Sequence, residues 1–141
     1  MHRRGLLDLI ASYARRFPGE VGVAERFSAF VAWHPDCFER SCVPGHVTGS
    51  AWLVAHDHAR FLLTHHRKLG RWLQPGGHSD GDPDTAHVAL REAREESGIA
   101  ALTLAPIDGQ VQPLDLDAHE IPARGAEPAH QPGAHRTLHR Q

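Results

Sequence analysis

The sequence predicts a mixed α/β (α+β) domain, and three observations carry the prediction. Apolar residues recur at helical spacing from Leu6 to Val31, short apolar and β-branched segments follow from Gly45, and a strongly signalled helix opens after the pair Gly76 and Gly77. The 141 residues suit one hydrophobic core, since such cores occupy roughly 100 to 150 residues. The expected organisation is a helical hairpin over 1–44, a domain over 45–123 on which it packs, and a disordered tail over 124–141.

Each element has its own signal. Leu6, Leu7, Ile10, Ala14 and Phe17 form one helical stripe, which Pro18 and Gly19 stop. A second helix begins near Glu20, with Val23, Phe27, Phe30 and Val31 on one side. From Gly45, HVTGSAWLVA and RFLLTHH read as paired strands about the polar turn HDHA, and RWLQP as a third strand ending in a turn or irregular loop at Pro75, Gly76 and Gly77. A helix over about 83–97 follows. Asp82 caps it, Pro83 takes its first position, Asp84 complements its positive end, and Ala86, Ala89, Leu90 and Ala93 give the buried stripe before Gly98 ends it. ALTLAPI and QVQPLDLDAHEIP read as further strands; beyond Ile121 the apolar pattern stops, Leu138 being the one large apolar residue left.

Composition narrows the function. A net charge of -2, with 40% apolar and 23% charged residues, is ordinary for a soluble globular protein. Lys and Arg are scattered, so nucleic acid is not an expected partner. No apolar run approaches the ~18 residues of a spanning helix, and the basic start lacks a cleavage pattern; a soluble, cytoplasmic protein with no membrane partner is expected. Two cysteines, Cys37 and Cys42, fit a reducing compartment. Packing as small apolar groups is their bland reading; a zinc site would need further ligands, for which His34 and His46 are the near candidates.

The chemically informative cluster is Glu92, Glu95 and Glu96, which share one side of the 83–97 helix. A solvated helix laced by pairs such as Arg91 with Glu95 would account for the bare string REAREE. Its context argues for more: a strand, a Gly-Gly loop, a capped helix with three carboxylates and a glycine stop form an oxygen-rich cluster facing a loop, as hard divalent cations require.

These residues resemble the box of the Nudix hydrolases, in which a glycine, five residues, a glutamate, seven residues and then Arg-Glu-apolar-any-Glu-Glu-any-Gly-apolar follow in order. Gly77 matches the first glycine; Arg91, Glu92, Ala93, Glu95, Glu96, Gly98 and Ile99 match the closing segment. The likeness extends over about residues 45–125. It implies an α/β/α sandwich around a mixed sheet. It also implies Mg2+, with Mn2+ as substitute, held by Glu92, Glu95, Glu96 and the Gly76 carbonyl, with Arg91 orienting the glutamates as part of the catalytic group. The implied reaction is hydrolysis of the diphosphate linkage in a small-molecule nucleoside diphosphate derivative, with His78 placed where substrate phosphates pass.

Two departures from that pattern matter. Pro83 stands where the first box glutamate is expected, flanked by Asp82 and Asp84. The strands and helix that would complete such a domain are also missing, which reads as a truncated or frame-shifted end, or as a shorter domain completed by the hairpin or by a second subunit in a homodimer. Both departures keep a second function in view, a non-catalytic Nudix-like module that binds a nucleotide or protein. A His-rich metal binder is a third, disfavoured by the irregular spacing of the 13 histidines. His65 and His66 are adjacent and would face opposite sides of a strand. Trp52 and Trp72 are expected in the core.

Overall fold

The computed structural model describes residues 2–120, together with the course of the backbone over 134–140. It is a mixed α and β fold. The order is α1 (Arg4–Arg16), a 3-10 turn (Pro18–Glu20), α2 (Val21–Trp33), β1 (Val47–Ala51), β2 (Leu53–Val54), β3 (Phe61–Leu62), β4 (Thr64–His66), β5 (Arg71–Leu73), β6 (Gly76–His78), α3 (Thr85–Ser97), β7 (Asp115–Glu120) and β8 (Ala134–Arg140). The main sheet runs β6-β1-β8-β7, with β8 parallel to β1 and the other pairs antiparallel. Two small antiparallel ribbons, β2 with β3 and β4 with β5, stand apart from it.

The helical hairpin forms where its stripes predict. Leu6, Ile10 and Tyr13 of α1 are buried against Ala24, Phe27, Phe30 and Val31 of α2, and Cys37, Phe38, Cys42, Val47 and Leu116 complete the cluster. Each large apolar side chain so buried contributes about 1.5–3 kcal/mol. The cluster includes β1 and β7 residues, so the hairpin is packed on the sheet. Arg3 donates from Nη1 to the carbonyls of Val31 (2.8 Å) and Ala32 (2.7 Å), covering acceptors that the end of α2 leaves unpaired.

α3 lies on β1. Its buried residues Thr85, Ala86, Val88, Ala89 and Ala93 are small, and Gly49 opposite them allows close approach: a Cβ there would stand 2.8 Å from the Thr85 carbonyl oxygen. Ala51, Ala89 and Ala93 make a second, smaller cluster with Leu102 beside it.

The structure corrects several expectations. Gly76 and Gly77 are not in a loop but in β6, because antiparallel pairing with Ser50 and Gly49 holds them extended. α3 starts at Thr85; its cap is Asp84, whose Oδ1 accepts from the amides of Ala86 (3.0 Å) and His87 (3.1 Å), so Pro83 lies before the helix rather than in its first turn. Asp82 caps one step earlier, accepting the Asp84 amide at 2.9 Å. ALTLAPI forms no strand beyond an isolated bridge of Ile107 with Gln110, and the 110–122 segment is strand from Asp115 to Glu120.

Part of the expected tail is described. Ala134–Arg140 is a strand between β1 and β7, held by backbone pairing to both, a contribution that apolar patterning does not register. The remainder of 124–141 lies outside the described residues. Trp72 is not core: it is 65% exposed, because the β4–β5 ribbon stands off the main sheet, and its ring meets His65 edge-on at 5.1 Å. Trp52 is partly buried and stacks on Phe61 at 4.6 Å. No helix among the described residues is long and apolar enough to cross a membrane.

Candidate functional site

The capped start of α3 and its seat on β1 aim its far half at β6, an edge strand of the sheet. There Glu92 and Glu96, one helical turn apart, reach adjacent residues of that strand. The Glu92 carboxylate lies against Gly77, where any Cβ would collide with it; only glycine leaves that space. Glu96 accepts from the Gly76 amide at 3.3 Å through Oε1 and from the Thr64 hydroxyl at 3.1 Å through Oε2. Consecutive Cα atoms are about 3.8 Å apart, so two carboxylates from one helix flank one short stretch of backbone.

Arg91 locks this arrangement. Its Nη2 donates to the His78 carbonyl at 2.8 Å and to Glu92 Oε1 at 2.9 Å, tying α3 to the end of β6. The hydrogen bond it donates to Glu92, and the charges of Glu92, Glu95 and Asp82, raise the guanidinium further above its ordinary range, so it is a fixed cation. Glu95 is exposed and enters the site through this field.

The three box carboxylates are not drawn to one point. Among the described residues, the one group of His, Cys, Asp and Glu ligand atoms lying within 4.8 Å of one another is His34, Asp36 and Cys42. Like charges on one helix repel, and here Arg91, the Gly76 amide and Thr64 draw two of the glutamates to separate partners.

The loop after β6 is pinned to the 38–47 segment. Ser79 is fully buried and donates to the Val47 carbonyl at 2.9 Å. Asp80, with φ +49°, takes a bidentate pair from Arg40 at 2.6 and 2.7 Å, which holds its carboxyl below the usual range. The His78 ring meets the buried His46 ring, Nδ1 to Nε2, at 2.7 Å. Burial, and then the Arg40 charge, lower the His78 pKa.

Gly76, Gly77, His78, Arg91, Glu92, Glu95 and Glu96 thus all lie on β6 and α3, with Gly76 and Gly77 in the strand rather than in the expected turn or loop. The roles of Thr64, Arg40 and Asp80, and the pairing of His46 with His78, were not anticipated. Their partners stand 32 to 40 residues away in the chain, beyond the reach of helix or strand periodicity.

No protein-family model matches the chain. Over 54 residues the chain is 39% identical to the asymmetrical bis(5'-nucleosyl)-tetraphosphatase of Mus musculus, a stretch that makes up 38% of this chain and 37% of that protein. The match thus spans little more than a third of the relative's length. The similarity is thus partial, and it is to a protein that hydrolyses bis(5'-nucleosyl) tetraphosphates.

Proposed function

We propose that this chain is a Nudix-type hydrolase that cleaves the diphosphate linkage of a nucleoside diphosphate joined to another moiety. The observation that carries the reading is the placement of Glu92 and Glu96 against Gly77 and Gly76, with Arg91 binding both Glu92 and the strand end. The donor set suits Mg2+, a hard cation that takes carboxylate and carbonyl oxygens: Glu92, Glu95, Glu96 and the Gly76 carbonyl would hold it. Mn2+ would take the same oxygens. When bound, the cation polarises water and neutralises charge on the bridging oxygens.

The chain's own residues do the positioning. Arg91 keeps Glu92 turned toward β6, and Thr64 orients Glu96 by its hydroxyl. Water adds to one phosphorus, the bond from that phosphorus to the bridging oxygen breaks, and the two products leave as phosphate monoesters. Charge stabilisation rather than a covalent intermediate carries such chemistry. His78 stands at the end of β6, beside the path proposed for substrate phosphates. The attached moiety would occupy an apolar cavity of about 460 Å³ beside α3, where Trp52, Val54, Leu90, Ala93 and Leu102 contribute walls.

A second reading, a non-catalytic module binding a nucleotide, is favoured by one observation: the box carboxylates do not converge within ligand distance of one another. A screen of nucleotide sugars, dinucleotides and nucleoside triphosphates with Mg2+, coupled to a phosphatase and read as phosphate release, separates the two. Hydrolysis that EDTA abolishes supports the enzyme. Binding of a nucleotide without hydrolysis supports the module.

A further inference from the structure

We propose that His34, Asp36 and Cys42 form a zinc site at the C-terminal end of α2, separate from the β6–α3 unit. One ligand atom from each lies within 4.8 Å of the other two. A tetrahedral zinc with bonds of 2.0 to 2.3 Å sets its ligands about 3.5 Å apart, so binding would require the set to close by about 1 Å at its widest.

Three features of the segment suit this role. The first is local geometry. Successive turns, with Cys37 N bonded to His34 O (3.1 Å), Glu39 N to Asp36 O (2.8 Å) and Cys42 N to Glu39 O (3.1 Å), curl residues 34–42 so that donors from a short stretch face one another. His34 is itself the residue that ends α2, and its ring is propped against Phe30 at 4.8 Å.

The second is chemistry. A thiolate, an imidazole and a carboxylate are a borderline-soft set that selects zinc over magnesium, whose ligands are oxygens. Cys42 is 3% exposed while Asp36 is at the surface, so one side of the site is closed and the other has room for water as a fourth ligand. Cys42 would bind as its thiolate, releasing its proton to solvent as the sulfur–zinc bond forms. The two negative ligands then balance the charge of the ion.

The third is location. The same segment continues to Arg40 and His46, which hold Asp80 and His78. A metal there would stiffen the support of the β6 loop without touching the box.

The test uses the full-length reduced chain titrated with Co2+, read by the near-ultraviolet thiolate-to-cobalt absorption, followed by displacement with Zn2+. One thiolate-bound cobalt per chain is expected, with the band lost in Cys42→Ser and kept in Cys37→Ser. His34→Gln and Asp36→Asn are expected to weaken apparent affinity roughly tenfold or more, and millimolar Mg2+ is expected to leave the band in place. No thiolate band in the wild-type chain, or a band that survives Cys42→Ser, overturns the proposal. If circular dichroism shows Cys42→Ser unfolded, the surface-facing Asp36→Asn and the half-buried His34→Gln decide, and unchanged affinity in both overturns it. Because the readout is binding, failure of the proposed hydrolysis leaves this result independent.

Discussion

Glu92 rests its carboxylate against Gly77, in the space where any other residue would carry its Cβ. The obstruction a substitution meets is the end of a flexible side chain rather than backbone, so the fold can yield while the site cannot. Gly77→Ala is expected to cost only about 1 kcal/mol of stability, but to turn Glu92 away from β6 and reduce Mg2+-dependent hydrolysis roughly 100-fold, the effect of misplacing a reacting group by about 1 Å. Thermal melts and turnover on the same preparation check this; a variant with full turnover removes Glu92 from the site.

Glu96→Gln keeps the shape of the side chain and its bond from the Gly76 amide while removing the charge. Hydrolysis is expected to fall by about 100-fold or more, with stability within about 0.5 kcal/mol because Glu96 is exposed. In the wild-type chain, EDTA should silence activity and Mn2+ restore it. Initial rates against metal concentration are the measurement, and unchanged rates in the variant would sink the assignment of Glu96.

Asp84, not Asp82, closes the first turn of α3. Asp84→Ala is therefore expected to lower stability by about 1 kcal/mol, and Asp82→Ala by less. Urea midpoints of the two variants, compared with the parent at one pH, distinguish them; the reverse order would return the cap to Asp82.

The Arg40–Asp80 pair makes stability depend on pH in a defined direction. Its hydrogen bond to Arg40 holds the folded pKa of Asp80 below the ordinary 3.8, so the contribution is fully present above that value and is lost as pH falls through the lower, folded one. Both side chains are about half exposed, 59% and 48%, and solvent screening keeps the effect small. Asp80→Asn should narrow the gap in urea midpoint between neutrality and about pH 3. An identical gap in the parent and the variant would show that the pair contributes nothing in solution.

The strand at Ala134–Arg140 pairs with β1 on one side and β7 on the other. Removing residues 134–141 should strip both neighbours of their ladders and lower the melting temperature sharply, a loss that far-ultraviolet circular dichroism would also report. An unchanged melting curve would mean that the main sheet does not depend on this strand.

The sequence by itself determined the local elements and the composition of the site. Helical periodicity placed the hairpin from Leu6 to Val31, glycine at 98 ended α3 with φ +73°, and the spacing of Glu92 and Glu96 put them on one side of a helix before any contact was known. Such features depend on neighbours a few residues away, which spacing encodes directly. Tertiary structure decided the rest. Gly76 and Gly77 read as a turn because their side chains carry no strand signal, yet β1 supplies the hydrogen bonds that extend them. Ala134–Arg140 lacks an apolar alternation, yet backbone pairing from two neighbours makes it a strand. Thr64 on Glu96, Arg40 on Asp80 and His46 on His78 join positions 32 to 40 residues apart. The hairpin's burial of Val47 and Leu116 is likewise a long-range contact: which distant surfaces meet depends on the path of the whole chain, and no local periodicity records it.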